Sequence, residues 1–266
     1  MPVYNEEKYI SLCLHNLLKQ TLRPTQVIIC DNESTDNTKQ IAAKILNDSD
    51  IPFHIITEQK RILISKWNIN LAIWKANKYL RKDMDLVGFL DADVVLDKKY
   101  YEVISQGFEK DSHMGLACGV LLPFGFPKPF PLQEPYKMTW GANRVYRYSC
   151  WLDLTSALDI RFLPALDTDH NILSYIKGWK VAHFKEAVSR HLRPINPYRG
   201  FTRGMKYRCA GYPLWWNIYK ALRDVDPGLL VGYTCMALWG TPPFPLKYVY
   251  HKAITSELRR RITRIL

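Results

Sequence analysis

The chain has 266 residues, of which 47% are hydrophobic, and its formal net charge is +12. This length and composition provide a core for one large domain, or for a domain with an extension, and exclude a low-complexity protein. The six cysteines are widely scattered and form no Cys-x-x-Cys pair. Their spacing argues against a zinc site or a secreted disulfide framework, and for a reducing compartment.

The positive charge is concentrated in the last quarter of the chain. From Arg199 to Leu266, twelve Lys and Arg stand against three Asp and Glu, so +9 of the +12 lies there. We therefore expect a nearly neutral domain followed by a basic, aromatic-rich segment that meets an anionic partner.

Helical and strand patterns alternate through the first half of the chain. Asn5 is the expected N-cap of the first helix, whose apolar positions recur at helical spacing. In chain order, the predicted elements are a helix with Ile10, Leu14, Leu17 and Leu18 on one face, a strand at Gln26–Cys30, a helix after a polar turn at 31–38, a strand at Phe53–Ile56, a helix at Ile64–Leu80, a strand at Leu86–Leu90, a helix at Tyr100–Phe108 and a strand at Gly115–Leu122. This alternation indicates an α/β fold with a parallel, Rossmann-like sheet.

Two aspartates follow the strand at Leu86–Leu90. Residues i and i+2 of an extended segment point to the same side, so Asp91 and Asp93 can approach a common point. Ligands of open α/β sheets bind beyond the carboxyl ends of the strands, where oxygen donors suit Mg²⁺ or Mn²⁺ carrying substrate phosphates. The alternative is that Asp91 caps the following turn and Asp93 is merely solvated.

Three motifs occur in the order and spacing of family 2 glycosyltransferases. They are Pro2-Val3-Tyr4-Asn5-Glu6, Asp31-Asn32-Glu33-Ser34-Thr35-Asp36 and Asp91-Ala92-Asp93. The chain therefore resembles this family. The resemblance implies the GT-A fold, a Rossmann-like and mostly parallel sheet flanked by helices, and transfer of a sugar from a nucleotide donor with inversion of the anomeric centre.

The resemblance also implies roles for residues of the three motifs. Pro2, Tyr4 and Glu6 would line the nucleotide pocket, and Asp31 would accept a hydrogen bond from the base. Asp91 would lie near the ribose and the metal. Asp93 would bind the Mg²⁺ or Mn²⁺ that bridges the diphosphate, and His191, which resembles the family's late histidine, would complete the metal shell. A lone histidine is otherwise more often a core or surface residue.

Two features depart from the family pattern. Glu33 stands where the family usually has glycine, so the turn has to form without a residue that tolerates a positive φ. Only Met1 precedes the first motif, where the family has an apolar strand. We therefore expect the sheet to be incomplete at the position of its first strand.

The second half of the chain carries the expected acceptor side. Asn143 and Arg147 resemble an asparagine and an arginine of the family's acceptor segment; the alternative for the arginine is an exposed side chain on a strand. Asp167 and Asp169 precede Gly178 as the family's acidic pair precedes a helix-ending glycine. By this resemblance Asp167 is the base that deprotonates the acceptor hydroxyl, with Asp169 as the second choice. The alternative is that one of these two carboxylates only caps the helix.

The last segment suggests contact with a membrane surface. Residues 227–246 carry no charge, but Gly and Pro interrupt them, and a spanning helix needs roughly 20 continuous apolar residues. His251–Leu266 is basic with apolar residues at helical intervals, the pattern of a helix lying on a membrane. The alternative is a helix packed on the catalytic domain with solvated arginines.

We interpret residues 1–195 as the catalytic domain, with a nucleotide-binding part at about 1–95 and an acceptor part at about 96–195, and residues 196–266 as a basic helical extension. The predicted function is metal-dependent, inverting transfer from a nucleoside diphosphate sugar to a hydroxyl of a glycan or lipid-linked glycan, at the cytoplasmic face of an anionic membrane. Transfer to a polyprenyl or dolichyl phosphate is the alternative. A module that binds nucleic acid through arginines and aromatics is a further alternative, although we expect no nucleic-acid partner.

Overall fold

The computed structural model describes residues 1–57, 73–125, 139, 141–157, 166–194, 199–209 and 212–238. The chain forms two compact units, Met1–Pro194 and Ile195–Leu266. Part of the predicted helix at Ile64–Leu80 and all of the predicted helix at His251–Leu266 lie outside the described residues.

The first sheet of the first unit is parallel and has the order β1-β2-β3. Its elements are strands β1 (Pro2–Val3), β2 (Val27–Asp31) and β3 (Phe53–Thr57), with helices α1 (Ile10–Leu18) and α2 (Thr38–Asn47) between them. The register pairs Val3 with Asp31 and Asp31 with Thr57, so the three strands end at one edge. The predicted strands at Gln26–Cys30 and Phe53–Ile56 are confirmed.

The second sheet has five strands and is mixed. Its elements are β4 (Leu86–Gly88), β5 (Val94–Leu96), α3 (Tyr100–Lys110), β6 (Met114–Leu122), β7 (Arg144–Arg147), α4 (Tyr148–Ala157), α5 (Leu166–Ile176) and β8 (Lys180–His191). The order is β4-β7-β6-β8-β5, in which β6 and β8 are parallel and the other neighbours are antiparallel. The fold is therefore α/β, with a parallel sheet for the first motifs and a mixed sheet beyond them.

Helix α1 buries the predicted apolar face, with Ile10, Leu14 and Leu17 in the core. The prediction that Asn5 caps this helix is wrong, since α1 begins at Ile10 after an N-cap at Tyr9. Asn5 instead takes a φ of 53°, a left-handed conformation that asparagine tolerates.

Helix α1 also joins the two sheets. The side-chain amide of Asn16 donates to the carbonyl oxygen of Leu96 in β5 at 2.9 Å and accepts from the Leu96 N–H at 2.7 Å. Gln20 extends this link by donating to the carbonyl oxygen of Asp97 at 3.0 Å. One asparagine thus supplies both hydrogen bonds that a neighbouring strand would give Leu96.

The first strand is present but short. β1 contributes two residues beside the five residues of β2. A cavity of about 430 Å³, lined mainly by apolar side chains that include Ile28, Leu86 and Val87, lies between β2 and β4. Within the described residues the chain supplies two residues of the expected first strand, and the incomplete sheet stays a prediction.

The second unit contains three described helices, α6 (Arg199–Cys209), α7 (Leu214–Asp224) and α8 (Gly228–Leu238). Helices α6 and α8 approach closely at glycines: a β-carbon on Gly232 would lie 1.9 Å from the carbonyl oxygen of Phe201. Tyr233 of α8 donates to the carbonyl oxygen of Tyr212 at 2.8 Å. Among the helices that the structure describes, none is long and apolar enough to span a membrane.

The turn at Glu33 yields a prediction about stability. Glu33 has a φ of 55°, which costs an L-residue about 1–2 kcal/mol and costs glycine almost nothing. Glycine also loses roughly 0.5–1 kcal/mol through the entropy of its unfolded chain. We expect Glu33→Gly to be more stable than Glu33→Ala by about 0.5–1 kcal/mol, as measured by urea denaturation. The alanine variant controls for loss of the side chain, and equal stabilities would contradict the proposed strain.

Candidate active site

Two loops at the carboxyl ends of β1 and β2 are hydrogen-bonded to each other. The N–H groups of Asn5 and Glu6 donate to Ser34 Oγ at 3.0 Å and to Thr38 Oγ1 at 2.7 Å. In the other direction, the N–H of Thr35 donates to Asn5 Oδ1 at 2.8 Å. These reciprocal bonds hold the first two predicted motifs side by side.

The predicted nucleotide-pocket residues lie at this edge of the first sheet. Pro2 pairs with Cys30 in the β1–β2 ladder, and Tyr4 just beyond it is 42% exposed. Asp31 is buried at the end of β2, and its carboxylate accepts from the N–H of Ser34 at 3.3 Å. Asn32, which sequence analysis did not single out, is also buried.

Asp91 and Asp93 lie at the corresponding edge of the second sheet. Pairing between β4 and β7 continues past Gly88, because the N–H of Asp91 donates to the carbonyl oxygen of Ala142 at 2.9 Å. On the other side, the N–H of Leu192 donates to the carbonyl oxygen of Asp93 at 2.8 Å. Backbone hydrogen bonds to the residues just before β7 and just after β8 therefore fix the two aspartates.

The pKa values of the three carboxyl groups at this edge are shifted in different directions. Burial and the neighbouring Asp93 raise the pKa of Asp91 to about 6. Burial opposes ionisation of Asp93 as well, but His191 and Arg193 outweigh it and lower the pKa of that carboxyl. Burial raises the pKa of Glu6. Asp91 and Glu6 thus resist ionisation while Asp93 favours it, and a cation at this edge would stabilise the charged form of all three carboxyl groups.

Arg193 is the site residue that sequence analysis missed. Its guanidinium Nε lies 2.5 Å from Asp93 Oδ2, and the same guanidinium forms an ion pair with Glu6. It also lies 5.2 Å from the centre of the Tyr9 ring. Its place two residues after the predicted metal-binding histidine is the signal in the sequence that points to it.

The donor set suits a divalent cation that brings phosphate ligands of its own. His191 Nδ1 lies 3.5 Å from Asp93 Oδ2, and the Asp91 carboxyl is close enough to influence both. Within the described residues, no three acidic, Cys or His side chains form a ready-made metal cage. Mg²⁺ is commonly held in this way, by one or two carboxylates together with substrate phosphates.

The second acidic pair lies in the first turn of α5. The Asp167 carboxylate lies against Gly141, where a β-carbon would be 3.3 Å from Asp167 Oδ2. Gly141 adjoins Ala142, the backbone partner of Asp91, so Asp167 and Asp91 belong to the same edge. Asp169 is 1% exposed, whereas Asp167 is partly exposed.

Helix α5 ends as the sequence predicts. Gly178 takes a φ of 84° just after the helix, and the N–H of Trp179 donates to the carbonyl oxygen of Ser174 at 2.8 Å. This is a Schellman arrangement, which requires a residue that tolerates the left-handed conformation. The spacing from Gly178 back to the acidic pair is therefore the length of one helix.

The two predicted acceptor-side residues lie at opposite ends of β7. Asn143 is buried, donates from Nδ2 to Ser189 Oγ at 2.5 Å, and adjoins Ala142. Arg147 pairs with Leu86 at the far end of β4. Its guanidinium donates to the carbonyl oxygens of Phe108 at 2.7 Å, Asp111 at 3.0 Å and Met114 at 3.0 Å. The structure does not bring Arg147 to the edge that carries Asp91 and Asp167.

A cluster of aromatic and basic side chains packs beside the residues that carry Asp91 and Asp167. The Arg144 guanidinium lies 5.3 Å from the ring centres of Phe89 and Tyr146. Tyr146 Oη lies 2.9 Å from Nδ1 of His170, a buried histidine whose pKa is lowered by burial and by Arg144. This cluster is not evident from the sequence, since its residues are scattered over the segment after β4, strand β7 and helix α5.

Comparisons with known proteins agree with this arrangement. The sequence model named Glycosyl transferase family 2 matches residues 1–166. Chondroitin synthase of Escherichia coli is 27% identical over 199 residues, which cover 70% of this chain and 26% of the relative. The chain thus spans about a quarter of the length of that protein.

Solved structures share the fold at low sequence identity. S. aureus TarS 1-349 in complex with UDP-GlcNAc superposes with a TM-score of 0.53 at 19% identity, covering 77% of this chain and 63% of that one. Mannosyltransferase PcManGT from Pyrobaculum calidifontis, in complex with GDP-Man and Mn²⁺, superposes with a TM-score of 0.61 at 16% identity, covering 97% and 79%. The chain belongs to glycosyltransferase family 2 and has the GT-A fold.

Proposed function

We propose that this glycosyltransferase takes its sugar from a nucleoside diphosphate donor that lies across the ends of β1, β2 and β4. The observation that carries the proposal is the gathering of Glu6, Asp91, Asp93 and His191 at one edge of a family 2 protein. The solved neighbours that bind UDP-GlcNAc and GDP-Man support such a donor. They differ in base, and the carboxylate of Asp31 can accept from uracil or from guanine.

We assign the nucleotide side of the site to Pro2, Tyr4, Glu6, Asp31 and Asp91. The reciprocal hydrogen bonds between their two loops support this assignment, because they hold the loops in one arrangement before a ligand arrives. Preorganisation of this kind lowers the entropy cost of binding.

Asp93 and His191 would hold a divalent cation, Mg²⁺ or Mn²⁺, with Asp91 beside them. Such an ion, when bound, neutralises charge on the departing diphosphate. The Mn²⁺ in the complex of the Pyrobaculum calidifontis mannosyltransferase supports this assignment. So does the repulsion between Asp91 and Asp93, because a cation between two carboxylates removes it.

Asp167 is the proposed general base, and the reaction a single displacement with inversion. Its carboxylate is partly exposed beside Gly141, where an acceptor hydroxyl could reach it. Its place in the first turn of α5 favours the ionised form through the helix dipole. The hydroxyl proton would pass to Asp167 as the oxygen attacks the anomeric carbon. Asp169 is buried and serves this role less well.

The acceptor is proposed to be a hydroxyl of a glycan or lipid-linked glycan. The similarity to a chondroitin synthase supports a glycan. Asn143 adjoins the edge and stays the better candidate for acceptor contact, whereas Arg147 already donates to three backbone carbonyl oxygens elsewhere. A polyprenyl phosphate acceptor is already anionic and would need little help from a base.

The second unit is proposed to bind an anionic membrane surface at its cytoplasmic face. One face of α7 presents apolar side chains that are 41–74% exposed: Leu214, Trp215, Ile218, Tyr219 and Leu222. Such a stripe, with Trp and Tyr, suits the depth of lipid headgroups. Arg203, Lys220 and Arg223 surround the single carboxylate of Asp224, which leaves two positive charges in that cluster.

A donor and chelation experiment tests the proposed function. We expect UDP- or GDP-sugars to raise the melting temperature in the presence of Mn²⁺, and transfer to stop in excess EDTA. Asp93→Asn should abolish transfer and keep a native circular dichroism spectrum, because the backbone hydrogen bond from Leu192 remains and the amide oxygen can still accept from Arg193. Asp97→Asn, an exposed aspartate just beyond β5, is the matched control. Full turnover in excess chelator would contradict the metal assignment.

Paired substitutions in α5 test the base. Asp167→Asn should lower kcat by a factor of about 10² or more, the usual scale for loss of a general base, with donor affinity little changed. Asp169→Asn should act mainly on the melting temperature, because that side chain is buried. Loss of turnover in Asp169→Asn alone would show that Asp169, and not Asp167, is the general base. Full turnover in both would favour a lipid phosphate acceptor.

Cosedimentation with anionic liposomes tests the membrane proposal. We expect the full chain to bind at low salt and to be released at high salt, because each Lys or Arg near such a surface contributes about 1 kcal/mol that salt screens. A chain that ends before His251 should bind more weakly. Trp215→Ser with Leu222→Ser should also bind more weakly, whereas Leu152→Ser, a 49% exposed leucine of the first unit, should not. Negligible binding by every form at low salt would refute the proposal.

A further inference from the structure

One guanidinium holds two carboxylates of the site. Arg193 Nε lies 2.5 Å from Asp93 Oδ2, and the same side chain pairs with Glu6. The side chains of Asp93 and Glu6 are only 11% and 13% exposed, whereas that of Arg193 is 40% exposed. Ion pairs to carboxylates that are mostly withdrawn from water are screened less than surface pairs. Arg193 is therefore well bound and still has an open side toward solvent.

Strand pairing in the second sheet positions Arg193 beside Asp93. Strand β8 ends at His191, which pairs with Val94, and the N–H of Leu192 then donates to the carbonyl oxygen of Asp93 at 2.8 Å. The register that brings His191 to Asp93 therefore brings Arg193 there as well.

Arg193 and a divalent cation would compete for the same group. Asp93 Oδ2 is approached by Arg193 Nε at 2.5 Å and by His191 Nδ1 at 3.5 Å. A cation on this carboxylate would stand next to a permanent positive charge, so Arg193 has to move away or find another anion. A diphosphate is such an anion, because the planar guanidinium matches phosphate oxygens with two parallel hydrogen bonds.

We propose that Arg193 is the counter-ion of Glu6 and Asp93 in the absence of ligands. It keeps free divalent cation off Asp93, and it binds the donor's diphosphate when donor and cation bind together. This inference rests on the proposed function and adds to it a residue that couples the two ligands. Because the coupling is reciprocal, cation raises the affinity for nucleotide by the same factor as nucleotide raises the affinity for cation. Neither ligand then binds well alone.

Mn²⁺ binding to the full chain, followed by electron paramagnetic resonance with and without UDP or GDP, tests this coupling. Arg193→Gln should raise the affinity for Mn²⁺ without nucleotide by about tenfold, a typical size for a coupling between two sites. It should also weaken nucleotide binding and reduce the gain in Mn²⁺ affinity that nucleotide brings. Arg193→Lys, which keeps the charge but loses the planar fork, should fall between. Arg190→Gln, an exposed arginine on the same strand, should change none of these.

The outcomes separate this inference from the proposed function. A wild-type chain that binds neither Mn²⁺ nor nucleotide overturns both. A wild-type chain that binds both, with Arg193→Gln unchanged in Mn²⁺ affinity and in coupling, overturns the inference alone. Should Arg193→Gln fail to fold, Arg193→Lys decides: reduced coupling supports the role of Arg193, and wild-type coupling overturns it.

Discussion

The gathering of negative charge at one edge constrains the site more than any other feature. Asp93 and Glu6 share one guanidinium, and burial together with the nearby Asp93 raises the pKa of Asp91 to about 6. Carboxylates placed so close together repel one another unless positive groups stand between them. Arg193 supplies that positive charge from just beyond the end of β8, where His191 also lies beside Asp93.

The backbone explains how these charges can stay together. β8 is twelve residues long, and it runs beside β6 and then beside β5, so that its end arrives next to Asp93. Asp91 is held from the opposite side by Ala142. Main-chain hydrogen bonds thus fix the positions of both aspartates, and the Asp93 side chain is left to pair with Arg193 and His191.

Local patterns in the sequence predicted most elements of the first sheet and the acidic residues at the strand ends. These features depend on the periodicity of strands and on neighbouring residues in the chain, both of which can be observed in the sequence itself. The Asn5 cap was predicted wrongly because a competing contact, from Thr35 on another loop, decides its conformation. Arg193 and the Arg144 cluster could not be assigned in this way, since their partners are distant in sequence. Arg147 illustrates the same limit: a strand at this position was the alternative interpretation, but the carbonyl oxygens to which its side chain donates belong to α3 and the residues after it.

The link through Asn16 has a mechanical consequence. In the described residues the two sheets form separate hydrogen-bonded ladders, and Asn16 of α1 and Gln20 just after it donate to Leu96 and Asp97 beside the second sheet. Asp31 belongs to one sheet and Asp93 to the edge of the other. A donor with its base at Asp31 and its diphosphate at Asp93 would therefore link the two sheets across a line that no strand pairing of the described residues crosses. It would add to the shared hydrophobic core, the backbone hydrogen bond from Thr21 to Lys98 and the Arg193–Glu6 ion pair that already join them.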